Sequence, residues 1–172
     1  MAKIILSLFL IAALGGCVAV AAHDTAPGDI LYPFKIDVTE RIEHLLAFSP
    51  SAQADLAVYL ADARLQEIGL LVSTGLLTSE TSVKLIGAFD TEAARAATLV
   101  GKLHAAGDLL NASRNAEKFQ TELGTRIAEF SSVNTEGLAA MQTLLTPIIA
   151  HVQGTLDTVS ALNGTIEGGT TK

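Results

Sequence analysis

Four histidines, one cysteine and eighteen acidic residues are the groups in this 172-residue chain best suited to chemistry, and their spacing limits what they can do. His23, His44, His104 and His151 form no His-x-x-x-His pair, and no two fall on the same predicted helix. Glu40 and His44 share a helical face, yet a zinc site normally takes three or four protein ligands. A di-iron bundle needs Glu-x-x-His on two helices plus further inward carboxylates; Glu43-His44 with Asp24 does not supply that spacing. Cys17 sits in an apolar leader, and no Gly-x-Ser-x-Gly elbow occurs. Gly15-Gly16 belong to that leader and Gly168-Gly169 to the C-terminal end, so neither forms a phosphate loop. Carboxylate pairs such as Asp55/Asp62 and Glu117/Glu122 are expected on outward, solubilising faces. The pattern predicts no catalytic residue, no metal ligand set and no cofactor.

Charge narrows the partners. Eleven basic against eighteen acidic residues give a net charge of -7. Phosphate neutralisation needs clustered Lys and Arg, and none cluster here, which excludes nucleic acid. Arg64 and Glu67 are three apart and therefore neighbours on one helical face. Three readings stay open for them: a solvated pair contributing ~0.3 kcal/mol, a polar clamp with Lys35 between the first two predicted helices, or a ligand-binding role.

The elements that would position these groups begin with an exception. Lys3 is the only charge before Ala22, and the apolar run from Ile4 to Ala22 reads as an export signal. Leu14-Gly15-Gly16-Cys17 resembles a lipobox, in which the Cys17 thiol would carry lipid after cleavage. Ala19-Val20-Ala21 offers an ordinary small-residue cleavage site, and retention as an anchor is the third course. The nineteen residues of this run, at about 1.5 Å each, span ~28 Å, close to the ~30 Å hydrocarbon core. Every course places the rest outside the cytoplasmic membrane.

After the leader, the 3.6-residue period predicts helices throughout. Pro27-Gly28 makes a turn, and Pro33 starts a first helix to about Ala47 that buries Val38, Ile42, Leu45 and Leu46. Ser49-Pro50 starts a second to about Thr74, with Leu56, Tyr59, Leu60, Ala63, Ile68, Leu71 and Val72 inward. Thr78 or Ser79 caps a third, whose stripe is Val83, Ile86, Phe89, Ala93, Ala96, Val100 and Leu103. Asp108 to Phe130 forms a fourth, and Thr135 caps a fifth. In the fifth, Leu138, Met141, Leu145, Ile148, Val152, Thr155, Val159 and Leu162 approach a heptad, with Pro147 expected to kink it. The fold class is all-α: an elongated up-and-down bundle of about five helices after an N-terminal signal or anchor helix. Residues 1–22 form that signal, 23–163 the bundle domain and 164–172 a flexible tail.

One stretch carries a resemblance. Pro27-Gly28-Asp29-Ile30-Leu31-Tyr32-Pro33-Phe34-Lys35 is similar to the P-G-D-x-L-Y-P-x-K opening of the prokaryotic domain of unknown function 5667. Leu60-Ala61-Asp62-Ala63-Arg64-Leu65-Gln66-Glu67 matches its L-A-x-x-R-L-x-E block, and Ala47-Phe48-Ser49-Pro50 fits between them. The resemblance covers about Pro27 to Leu77 and implies an exported helical domain without an assigned activity. It singles out Pro27, Gly28, Asp29, Leu31, Tyr32, Pro33, Lys35, Arg64 and Glu67 as structural positions.

The function expected is therefore a non-enzymatic binding or scaffolding module, membrane-tethered through residues 1–22 or a lipid on Cys17. It would meet a cell-envelope protein, or itself, through helical faces. A sensor or carrier binding a metal ion or small ligand between helices is the alternative. Mass spectrometry of the mature N-terminus separates the three processing routes. A diacylglyceryl Cys17 identifies a lipoprotein, a start near Ala22 a released protein, and intact Met1 an anchored one.

Overall fold

The computed structural model describes residues 47–133 and 139–169. They form four helices: α1 (Pro50–Ser73), α2 (Ser79–Ala105), α3 (Leu109–Ser132) and α4 (Ala139–Gly169). No strand occurs among the described residues, so the all-α reading holds. These four are the second to fifth predicted helices. The first, from about Pro33 to Ala47, lies outside the described residues except Ala47, which is not helical.

The helix boundaries follow from local chemistry. The Ser49 hydroxyl accepts from the Ala52 N–H at 3.1 Å, and Pro50 takes the first helical position, where no intrahelical partner for its nitrogen is needed. Thr78 and Thr81 cap α2 reciprocally, each side chain accepting from the other's backbone N–H, at 3.1 and 3.0 Å. Both α1 and α2 end on a left-handed glycine, Gly75 (φ 71°) and Gly107 (φ 80°). After α1, Gly75 N–H donates to Val72 O and Leu76 N–H to Leu71 O; after α2, Gly107 N–H donates to His104 O and Asp108 N–H to Leu103 O. This is the doubly bonded Schellman stop. Asp108 then caps α3 through the Asn111 N–H, so one residue closes one helix and opens the next.

Such short links turn the chain back on itself, and the packing shows the alternation. One apolar cluster joins Ala54 near the start of α1 and Ala112 and Ala116 near the start of α3 to Leu99, Val100 and Leu103 late in α2 and Ile166 late in α4. The larger cluster runs to the other end, where Leu71 and Val72 of α1 and Phe130 of α3 meet Leu85 of α2 and Met141 and Leu145 of α4. Hence α1 and α3 run one way, α2 and α4 the other. α1 packs against α2 and α3, α4 against α3 and α2, and α2 also approaches α3. Alanines at positions 93, 96, 112 and 116 are all buried, which lets the α2 and α3 backbones come close.

Three expectations about faces need correction. Val83 is 72% exposed, and Leu85 takes its place in the core. Successive steps of three, from Val83 to Ile86 to Phe89, rotate about 60° each around a 3.6-residue helix and carry Val83 off the stripe. Tyr59 is also exposed, while Ala57, Val58, Ala61 and Leu65 face inward; α1 is apolar around so much of its circumference that periodicity alone does not select a face. Third, the expected tail is helical to Gly169, with Ile166 buried in the smaller cluster. The helix also continues through Pro147.

Glycine position gives a paired test. Gly124 lies inside α3, where an added Cβ meets nothing within 4 Å; Gly124→Ala should raise unfolding free energy by about 0.5–1 kcal/mol. Gly107→Ala should lower it by about 1 kcal/mol, because an L side chain is strained at positive φ. Urea titration of the two variants reads both signs.

Candidate functional site

Polar side chains collect in three places. The first is the seam between α1 and α3. Arg114 Nη2 and Asn115 Nδ2 donate to Ser51 Oγ at 3.0 and 3.2 Å, and Lys118 Nζ lies 2.7 Å from Asp55 Oδ1. Further along, Arg126 grips Asp62 with two nitrogens, Nε to Oδ1 at 2.6 Å and Nη2 to Oδ2 at 3.1 Å. Its Nη1 reaches Glu129 Oε2 at 2.6 Å, and Gln66 Nε2 reaches Asp62 Oδ2 at 2.6 Å. These four cross-helix partnerships keep a constant offset of 63 or 64 residues, the signature of two parallel helices in fixed register. Hydrogen bonding to Asp62, reinforced by the charges of Asp62 and Glu129, holds the Arg126 guanidinium still more firmly protonated than usual, against the opposing effect of desolvation.

Asp62 is therefore not on an outward face; it is 7% exposed, contrary to the expectation for the Asp55/Asp62 pair. An unpaired carboxylate could not tolerate that burial, and the bidentate guanidinium makes it possible. Beside this cluster, Gln66, Gly69, Arg126, Glu129, Phe130 and Val133 line a cavity of about 350 Å³. Two carboxylates already balance the Arg126 charge there, so the cavity presents no strong attraction for an anion.

The second place is inside α1. Arg64 Nη1 lies 2.9 Å from both Glu67 oxygens, and the two side chains are only 2% and 5% exposed. The solvated-pair reading is thereby excluded. The pair sits on the stripe Leu60, Arg64, Glu67, Leu71, all four buried, so α1 takes two charges into a position where apolar residues would be usual. Pro27, Gly28, Asp29, Leu31, Tyr32, Pro33 and Lys35, like Cys17, lie outside the described residues.

The third place is a groove between α2 and α4, which no sequence signal announced. His151 Nε2 and Asp90 Oδ1 meet at 2.6 Å across it, each side chain about half exposed. The imidazole also stands edge-on to Phe89, with ring centroids 6.2 Å apart at 72°. On one side of this contact, a cavity of about 590 Å³ is lined by Ala93, Ala94, Ala97, Ala150, Gly154 and Val159, among others. On the other side, Val83, Ile86, Gly87, Leu144, Pro147 and Ile148 border a second cavity of about 490 Å³. Asp90 and His151 line both. The groove is mostly apolar, walled largely by small side chains on one side of the Asp90–His151 strap and by larger aliphatic ones on the other. Asp90 and His151 supply two donors, and among the described residues no group of three His, Cys, Asp or Glu converges to hold a metal ion.

Sequence spacing held a partial clue to the first cluster: Asp55 and Asp62 recur on one face of α1, as Lys118 and Arg126 do on α3. Register is what matches them, and spacing within one helix does not contain it. The buried pairs yield a prediction. Arg126→Ala should cost about 3 kcal/mol, because it strands the Asp62 carboxylate in a nearly dry position. The double variant Arg64→Met/Glu67→Leu should cost at least about 1 kcal/mol less than the sum of its singles. Denaturant unfolding of the set measures both.

No curated protein and no solved structure matches this chain. One family model does, over residues 24–147, which takes in α1, α2, α3 and the first part of α4 and reaches well past the blocks visible in the sequence. With most of its length matched, the chain belongs to the family described as Domain of unknown function (DUF5667).

Proposed function

We propose that this protein is a non-enzymatic binding or scaffolding module, exported and held at the cell membrane by residues 1–22 or by a lipid on Cys17. It engages a cell-envelope protein, or a second copy of itself, through a helical face. The observation that carries this reading is the α2–α4 groove. Alanine, glycine and threonine side chains at positions 94, 97, 150, 154 and 158 leave room for another helix to approach closely, and Val83 exposes an apolar side chain at its far end. Large exposed apolar side chains next to an apolar cleft are the usual mark of an interaction surface. Export and tethering rest on the Ile4–Ala22 run. No helix among the described residues is long and apolar enough to cross a membrane.

A carrier role is the second reading, favoured by the same strap: Asp90 and His151 could orient the polar end of a small ligand whose apolar part fills a flanking cavity. Zinc, copper and a lipid panel, each titrated against the full chain, separate the two, since a carrier should melt at higher temperature with its ligand.

Photo-crosslinking tests the leading reading. A photoreactive residue at position 94 or 150, in the groove, should give discrete adducts in envelope preparations at several times the yield of one at position 125. Thr125 is exposed on α3, away from the groove residues. Equal yields from all three positions would remove the groove as the interaction face.

A further inference from the structure

Among the described residues, the two most exposed large apolar side chains stand at one end of the bundle: Phe48, 86% exposed, and Leu110, 80% exposed. They lie at the same level. Ser51 meets Arg114 and Asn115, and Asp55 meets Lys118, at an offset of 63 or 64 residues. Carried back to Phe48, that offset falls on Asn111 or Ala112, beside Leu110.

Neither side chain is used by its own helix. A residue just before an N-cap often packs on the fourth residue of the helix. After the Ser49 cap that residue is Gln53, whose Nε2 turns back to donate to Ala47 O at 3.1 Å, so Phe48 has no apolar staple partner there. On α3 the buried stripe runs through Ala112, Ala116 and Phe119. Leu110 precedes Ala112 by two positions and therefore points to the opposite side of the helix.

We propose that this end of the bundle rests on the lipid surface, with Phe48 and Leu110 seated among the headgroups. The inference rests on the tethering part of the reading above and adds the face that meets the bilayer. The occupant follows from where the chain enters. Residues 1–46 join the bundle at Ala47, so a tether through residues 1–22 or Cys17 draws this end toward the membrane. The opposite end also exposes Leu76 and Val83, but it lies a helix length farther along the chain: the 24 residues of α1, at about 1.5 Å each, span ~36 Å.

The charges at this end suit lipid phosphate. Asp55 is paired with Lys118 at 2.7 Å, and Asp108 is spent on capping α3. Glu117 accepts from Ser113, and Glu167 from Asn163, each at 3.0 Å. Arg114 donates to the Ser51 hydroxyl, a neutral partner, and Lys102 is exposed in the last turn of α2. Both cations can meet phosphate while the apolar pair enters the interface, the combination that holds amphipathic surfaces on membranes. With a net charge of -7 on the chain, the apolar pair carries most of the contact.

The test uses the full chain carrying Cys17→Ser, which keeps the apolar run and leaves an introduced thiol as the one site for a fluorophore. The label goes on Ala106→Cys, at the exposed C-cap of α2 near Leu110, or on Thr74→Cys, at the exposed C-cap of α1 at the opposite end. In vesicles of phosphatidylethanolamine and phosphatidylglycerol, a lipid spin-labelled at its headgroup should quench the label at 106 at least about two-fold more than the label at 74. Adding Phe48→Gln and Leu110→Gln, two exposed positions whose replacement leaves the core intact, should remove most of that difference. Equal quenching at the two ends, stronger quenching at 74, or a difference that survives the double substitution overturns the contact. Flotation of the same samples separates the two readings. A chain that stays behind when the vesicles float loses the tether and this contact together. One that floats without preferential quenching at 106 keeps the tether and loses the contact.

Discussion

Two parallel helices of alanine and leucine can slide past each other by a turn and bury almost the same apolar area, so shape alone sets the register of α1 and α3 weakly. Charge removes the ambiguity. Asp62 can be buried only where Arg126 meets it with two nitrogens, and in that register Asp55 falls beside Lys118 and Ser51 beside Arg114 and Asn115. Moving α3 by one turn would leave a carboxylate in a dry seam, at a cost far above what surface ion pairs contribute. The outer pairs are half exposed and worth little alone; their part is to agree with the one register that the inner pair enforces. Once α1 and α3 are aligned, the short links through Gly75 and Gly107 leave α2 little freedom, and the apolar cluster closes around Phe89 and Phe119.

α1 has a second burden. It is covered over most of its circumference, and Arg64 and Glu67 go under with Leu60 and Leu71. Pairing within one helix, at a spacing of three, brings the two charges into contact as they enter the interior. An apolar pair would pack there at least as stably. Retaining charge at these positions therefore favours one orientation of the helix over others that its nearly all-round apolar surface would allow. That is the same problem the seam with α3 solves, met again on another side of α1.

The fold class was legible because its signals are local. Hydroxyl caps before Pro50 and near Ser79, and stripes of threes and fours, each depend on a few neighbouring residues, and each recurs in the structure. What local signals do not carry is which face of an apolar helix turns inward; Tyr59, expected inward, is exposed for this reason. Gly164 and the threonines around it suggested a tail, yet Ile166 continues the seam two residues later, and one buried isoleucine is enough to keep the last turns ordered. Of the site residues, Arg64 and Glu67 were legible through the spacing that makes them neighbours. Asp62 was expected on the wrong side because its partner stands 64 residues away, and His151 was assigned no partner because Asp90 lies 61 residues away on another helix.

The same alternation that builds the core also accounts for the groove. In a four-helix arrangement with α2 approaching α3 through buried alanines, tight contact is spent along that diagonal, and the α2–α4 edge is left less filled. Between Ala94 and Gly154 the side chains on both walls are small, so the surface dips there with no leucine or phenylalanine to fill it. An edge held this loosely needs something to fix its spacing, and a single cross-seam contact from Asp90 to His151 occupies that position. A groove there is thus a consequence of how α2 packs on α3, and the contact that crosses it is a consequence of which residues face each other at that level.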